Sequence, residues 1–166
     1  MEQEQIRELL SGIILDLDNY KQIYSALAQY VAEMNRSIVT VTGVSSGVDW
    51  FNNVNESKNQ SSGVIIAQNG KQLLILTDYS PVKQADDIIV TFNKGTQADA
   101  SLKEKDETTG LAVIAVELDV LNEDFLKNDI TIATLGSSNI RDIAGLPVVA
   151  LGRPTVSYTH LTLPTN

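Results

Sequence analysis

Two apolar runs, Gly63-Val64-Ile65-Ile66-Ala67 and Leu73-Leu74-Ile75-Leu76-Thr77, are separated by Gln68-Asn69-Gly70-Lys71. An Asn-Gly dipeptide between such runs supplies the positive φ angles of a tight hairpin turn. This commits the middle of the chain to antiparallel sheet, and the flanking sequence agrees. Ile38-Val39-Thr40-Val41-Thr42 alternates in strand fashion and is rich in β-branched residues. Asp87-Ile88-Ile89-Val90-Thr91-Phe92 and Gln97-Ala98-Asp99-Ala100-Ser101-Leu102 form a second pair, joined through Asn93-Lys94-Gly95-Thr96, and residues 111–116 add another strand. Short strands punctuated by turn signals, with no helical pattern interleaved, predict an antiparallel barrel or sandwich rather than a parallel sheet. Closure into a barrel would hide the strand edges.

The first 36 residues follow another period. Ile6, Leu9, Leu10, Ile13, Ile14 and Leu17 recur at helical steps, with Glu4, Arg7, Glu8 and Asp16 mostly between them. Asp18 and Asn19 interrupt that stripe as N-cap candidates, and a second stripe runs through Tyr20, Ile23, Tyr24, Leu27, Val31 and Met34. The prediction is an arm of two helical segments. Its apolar stripes must be covered by the barrel, by a second copy or by a further part of a longer protein, with the barrel or a further part favoured.

The 166-residue length suits one domain with a real core, and 43% apolar with 20% charged residues lies in the globular range. A net charge of -9, with no basic stripe, excludes a nucleic-acid partner. Without cysteine there is no disulfide framework and no thiolate metal site. No apolar run reaches the ~18 to 20 residues that span a bilayer, and Met1-Glu2-Gln3-Glu4 lacks the basic start of a signal peptide. The acidic groups Asp86-Asp87, Glu104 with Asp106-Glu107, and Glu123-Asp124 lack the alternating ligands and turn glycine of a calcium loop and read as solvated charge. Neither a metal nor a cofactor is expected.

Residues 43–61 are polar and rich in Ser, Asn and Gly, and read as a long loop. Trp50 and Phe51 are the apolar island within it, more simply packed beneath their own loop than offered to a partner, though aromatics are favoured interface anchors. Residues 155–166 carry no charge and read as a non-native tail resembling a translated vector or adapter sequence; the sole histidine, His160, lies there.

Several of these segments, taken in order, resemble the HtrA family of trypsin-like serine proteases. Ser62-Gly63-Val64-Ile65-Ile66 is similar to that family's early strand, and Ile75-Leu76-Thr77-Asp78-Tyr79-Ser80-Pro81-Val82 to the segment ending in its histidine motif. Ala85-Asp86-Asp87-Ile88-Ile89-Val90-Thr91-Phe92 with Gly95 resembles the following hairpin. Asp106-Glu107-Thr108-Thr109-Gly110-Leu111-Ala112-Val113-Ile114 resembles the segment that carries the aspartate. Downstream, Ala133-Thr134-Leu135-Gly136-Ser137-Ser138 and residues 145–154 look like the crossover toward a second barrel. Over residues 37–154, the resemblance implies a mainly β fold. The fold would be a six-stranded antiparallel barrel, the first half of a two-barrel protease domain, preceded by the helical arm of residues 1–36.

The departures bear on chemistry. That mechanism needs an imidazole base, a carboxylate to orient it and a serine nucleophile. By the resemblance the histidine would fall at Ser80 and the aspartate at Gly110, while the nucleophile would belong to the second barrel. The expectation is a catalytically inactive homologue acting as a scaffold or as a peptide- or protein-binding module, with self-association through the arm or an exposed barrel face as a further partner mode. The alternatives are part of an active serine endopeptidase with its nucleophile in the second barrel, or an oligomerisation or tethering protein built on the arm. The family often works outside the cytoplasm or from a membrane anchor, and the resemblance extends that expectation to a longer parent. A separate hydrolase made of Asp78 with Ser61 or Ser62 carries little weight, since an unperturbed Asp is too weak a base for a hydroxyl without an intermediary. Capping a turn is the simpler role for Asp78.

Overall fold

A computed structural model describes residues 17–48, 54–139 and 148–153. The chain divides into two compact units, Met1–Glu33 and Met34–Asn166. Of the first, the described part is helix α1, Leu17–Met34, with Asp18 in its first turn, where a carboxylate suits the helix dipole. None of its residues is buried. The earlier half of the arm lies outside the described residues. Among the described residues no helix is long and apolar enough to cross a membrane.

The second unit is a closed antiparallel barrel of six strands: β1 Ile38–Val48, β2 Val54–Gln68, β3 Gln72–Asp78, β4 Asp87–Thr91, β5 Gln97–Asp106 and β6 Leu111–Glu117. Around the barrel the order is β1-β2-β3-β6-β5-β4, and β4 returns to β1 with Thr40 opposite Thr91 and Val44 opposite Asp87. The Asn69-Gly70 turn joins β2 to β3 where the sequence predicts a hairpin, but of the two residues only Gly70 takes a positive φ, at +85°, while the Asn69 side chain accepts the Lys71 and Gln72 amides. Between β4 and β5 the turn Asn93–Gly95 places both Lys94 and Gly95 at positive φ.

Alternation sorts the side chains. Val39 and Val41 of β1, Ile65 of β2, Leu73 and Ile75 of β3, Val90 of β4, and Ile114 and Val116 of β6 are almost fully buried in the interior. Where the wall is crowded the sequence supplies glycine. A Cβ on Gly63 would lie 2.8–2.9 Å from methyl groups of Ile75, Val39 and Val41. One on Gly43 would meet the Pro81 carbonyl oxygen at 1.8 Å.

Past β6 a short helix, α2 Glu123–Asn128, starts at Asn122, whose side chain accepts the Asp124 amide at 2.8 Å. It brings Phe125 edge-on to Phe92, with ring centroids 5.4 Å apart, and Leu126 also packs on the core. Arg36 Nη2 donates to the carbonyls of Lys127 and Ile130, taking up groups at the helix's C-terminal end. Ala133 then donates its amide to the Ile65 carbonyl at 2.8 Å, beside the irregularity in the β2–β3 register between Ile65 and Ala67.

The long loop expected over residues 43–61 is corrected by the structure. β1 continues to Val48 and β2 begins at Val54, in unbroken register from Gly43↔Asn59 to Val48↔Val54. The segment is a two-stranded ribbon whose described outer residues are largely exposed, so no buried face imposes apolar alternation. Its base is held by Ser45 Oγ donating to the Gln84 carbonyl and by the Ser46 amide donating to the Asp86 carboxylate. Trp50 and Phe51 lie outside the described residues.

Replacing Gly43 by alanine drives the new methyl into backbone that cannot swing aside. Gly43→Ala is expected to lower stability by ~1–3 kcal/mol, read as a reduced urea midpoint at unchanged slope; an unchanged midpoint would contradict the close approach.

Candidate functional site

The ends of β3 and β6 meet. Asp78, the last residue of β3, stands opposite Leu111, the first of β6. One residue outward on each strand, the Tyr79 amide donates to the Gly110 carbonyl at 2.8 Å. The ladder therefore carries past the strands into the two turns that hold Ser80 and Gly110. Tyr79, Pro81 and Val82 are buried, and Ser80 between them is exposed. The Val82 amide returns to the Tyr79 carbonyl at 3.1 Å, closing the turn, and the Asp86 amide donates to the Val44 carbonyl at 2.8 Å.

Gly110 takes φ +73°, in the left-handed region that favours glycine, and a Cβ there would meet nothing within 4 Å. Asp106 shapes this turn. Its carboxylate accepts the Thr108 amide at 2.8 Å and the Thr109 hydroxyl at 2.9 Å, while its carbonyl accepts the Gly110 amide at 2.9 Å. The Thr108 amide and then the Thr109 hydroxyl hold the Asp106 carboxyl below its ordinary pKa.

Lys105 links the two turns. Its ammonium donates to Glu107 at 2.6 Å and to the Tyr79 hydroxyl at 3.1 Å. At 5.1 Å from the ring centroid, the ammonium approaches the hydroxyl end of Tyr79, and hydrogen bonding describes the contact better than a cation on the ring face. The bond to Glu107, then that to Tyr79, raises the Lys105 pKa, and the bond to Lys105 lowers that of Glu107. These displaced groups move away from neutrality. A proton-transfer catalyst needs the opposite, a pKa brought close to working pH. Beside the turn a cleft of about 340 Å³ is lined by Leu76, Leu111 and Val113, with Glu104 and Asp106 also bordering it.

The other hydroxyls singled out in the sequence have structural duties. Ser61 Oγ and Thr77 Oγ1 share a hydrogen bond at 2.9 Å, and Thr77 Oγ1 also donates to the Ser62 carbonyl. Ser62 Oγ accepts the Arg153 amide at 2.8 Å, and Arg153 Nη2 reaches Asn93 at 2.9 Å. Asp78 is exposed. Among the described residues no group of three His, Cys, Asp or Glu side chains is placed to hold a metal. Sequence reasoning passed over Tyr79, Lys105 and Asp106 as a linked set; the Asp-x-Thr-Thr-Gly order of residues 106–110 was the available turn signal.

Because the Asp106 pKa is depressed in the folded state, its turn contributes stability above the unfolded carboxyl pKa of about 3.9, and that contribution is lost as pH falls through the folded value. Asp106→Ala should lower the melting midpoint at neutral pH, and its deficit against the unsubstituted chain should shrink in acid. A deficit independent of pH would show that the carboxylate plays no part.

The trypsin-like peptidase domain family matches residues 61–163, 103 of the 166 residues, running into the stretch from 155 that reads as a foreign tail. Among solved structures the chain is similar to the serine endoprotease from Yersinia pestis, at 27% identity and a TM-score of 0.41, over 54% of this chain and 28% of that one. It thus spans little more than a quarter of that protein's length. No curated protein matches it. With the family matched over more than half its residues, the chain belongs to the trypsin-like peptidase domain family.

Proposed function

We propose that the chain belongs to a trypsin-like peptidase homologue that has kept the first barrel and given up its catalysis, and that the barrel serves as a scaffold or partner-binding module. The observation that carries this reading is the Tyr79–Gly110 hydrogen bond. It joins the turns where the resemblance to HtrA proteases would put histidine and aspartate, and those positions hold Ser80 and Gly110. A serine hydroxyl takes no proton at neutral pH, and glycine has no group to orient an imidazole or stabilise its cation. The two losses remove separate parts of one mechanism.

Binding by strand addition has a suitable edge. The β2–β3 register begins at Gly63↔Thr77, so residues 56–60 of β2 pair with β1 alone. That open ribbon supports recognition of an extended peptide through backbone hydrogen bonds. Membership of a peptidase family favours a second reading, in which a longer parent hydrolyses peptides with catalytic residues supplied outside this chain.

A peptidase assay on the full-length parent, with unfolded casein as substrate and a covalent serine-hydrolase probe alongside, separates the two. The binding reading expects neither turnover nor labelling. Turnover blocked by the probe would overturn it and establish that a base other than position 80 activates a serine.

A further inference from the structure

The apolar side chains of α1 keep stricter time than a stripe facing one globular surface requires. Leu17, Tyr20, Tyr24, Leu27, Val31 and Met34 follow at steps of three, four, three, four and three residues, the a and d spacing of a heptad. In the sequence the same phase runs back through Ile13, Leu10 and Ile6. The repeat thus holds for about four heptads, long enough to argue for a coiled coil. On the described helix the N-terminal part of this seam is exposed, while Val31 and Met34 are half-buried. Leu17 is 68% exposed, Tyr20 and Tyr24 are each 59% exposed, and the two tyrosine rings lie side by side with centroids 5.5 Å apart.

Charge indicates what covers the seam. Residues 17–34 carry Asp18 and Glu33 against a single cation, Lys21, which is not the Lys- and Arg-rich polar face that holds a helix to an anionic membrane. With Leu17 at an a position, Lys21 falls at e and Asp16 at the preceding g. Parallel helices in register bring each g residue to the e residue five places on in the partner, so the sequence sets Asp16 of one copy against Lys21 of the next. The following g and e pairs, Ile23 with Ala28 and Tyr30 with Asn35, are uncharged, so no like charges oppose this register. Ile23 and Tyr30 also widen the apolar seam.

We propose that α1 binds α1 of further copies of this chain as a parallel, in-register coiled coil with Leu17, Tyr20, Tyr24, Leu27, Val31 and Met34 at its core. This assembly is independent of whether the barrel retains catalysis.

The absence of cysteine in the chain makes a direct test possible. In the 166-residue chain, Leu27→Cys places a thiol at a d position, where parallel copies face one another, and Gln29→Cys places one at the outward f position. Mild oxidation should give about tenfold more covalent dimer from the first than from the second. Sedimentation equilibrium should return twice or a higher whole-number multiple of 18.1 kDa. The double variant Tyr24→Glu/Leu27→Glu should return the single-chain mass while the barrel still unfolds cooperatively, which separates lost association from lost folding. A single-chain mass at every accessible concentration, with or without binding to anionic phosphatidylserine vesicles, would overturn the proposal. So would equal cross-linking at positions 27 and 29, or association that survives the double variant.

Discussion

The pairing of β4 back onto β1 is the constraint on which the barrel depends. It turns an open sheet of six strands into a closed wall, leaves no barrel edge to seek a partner, and encloses Val39, Val41, Ile65, Leu73, Ile75, Val90, Ile114 and Val116 in one interior. The register of that wall in turn forces small residues where it is tight. Gly63 makes room for three neighbouring methyl groups, and Gly43 lets β1 lie against the Pro81 carbonyl. The second of these connects packing to the candidate site, because Pro81 follows Ser80 in the turn that leaves β3.

From closure the site geometry follows. β3 and β6 are neighbours although β4 and β5 lie between them in sequence, so the end of one and the start of the other share a ladder that ends in the Tyr79–Gly110 hydrogen bond. The Asp106 turn fixes the approach to Gly110, and Lys105 ties that turn to Tyr79. These contacts use backbone and peripheral side chains and ask nothing of the Ser80 side chain, whereas position 110 is held at a positive φ that favours glycine. The barrel is thereby free to keep its architecture while the side chain at position 80 changes. That independence supports the proposed reading of the barrel as a scaffold.

Much of the barrel was legible because its buried strands alternate and its turns carry glycine at positive φ, with Lys94 the one other residue there among the described residues. The hairpin at Asn69-Gly70 and the pair flanking Lys94-Gly95 are of this kind. The ribbon of β1 and β2 was not legible, since its outer part buries no face and its Ser, Asn and Gly residues mimic loop composition. Helix α2 was missed because six residues are too few for helical periodicity; Asn122 followed by Glu123 and Asp124 was its one local signal. The links made by Arg36 and Arg153 join segments far apart in sequence and have no local signature. At the candidate site, Ser80 and Gly110 were found through the resemblance alone. Their proximity came from the topology.

The most direct test of the proposed reading is to place histidine at position 80 and aspartate at position 110 and measure the proton affinity of the imidazole. NMR titration of Ser80→His and of the double variant Ser80→His/Gly110→Asp, each compared with the parent to subtract His160, gives that quantity. If the barrel still holds the two positions in register, the carboxylate will stabilise the imidazolium, and the double variant will titrate at higher pH than the single one. Identical titrations in two folded variants would contradict the account, because they would mean that the turns no longer present positions 80 and 110 to one another.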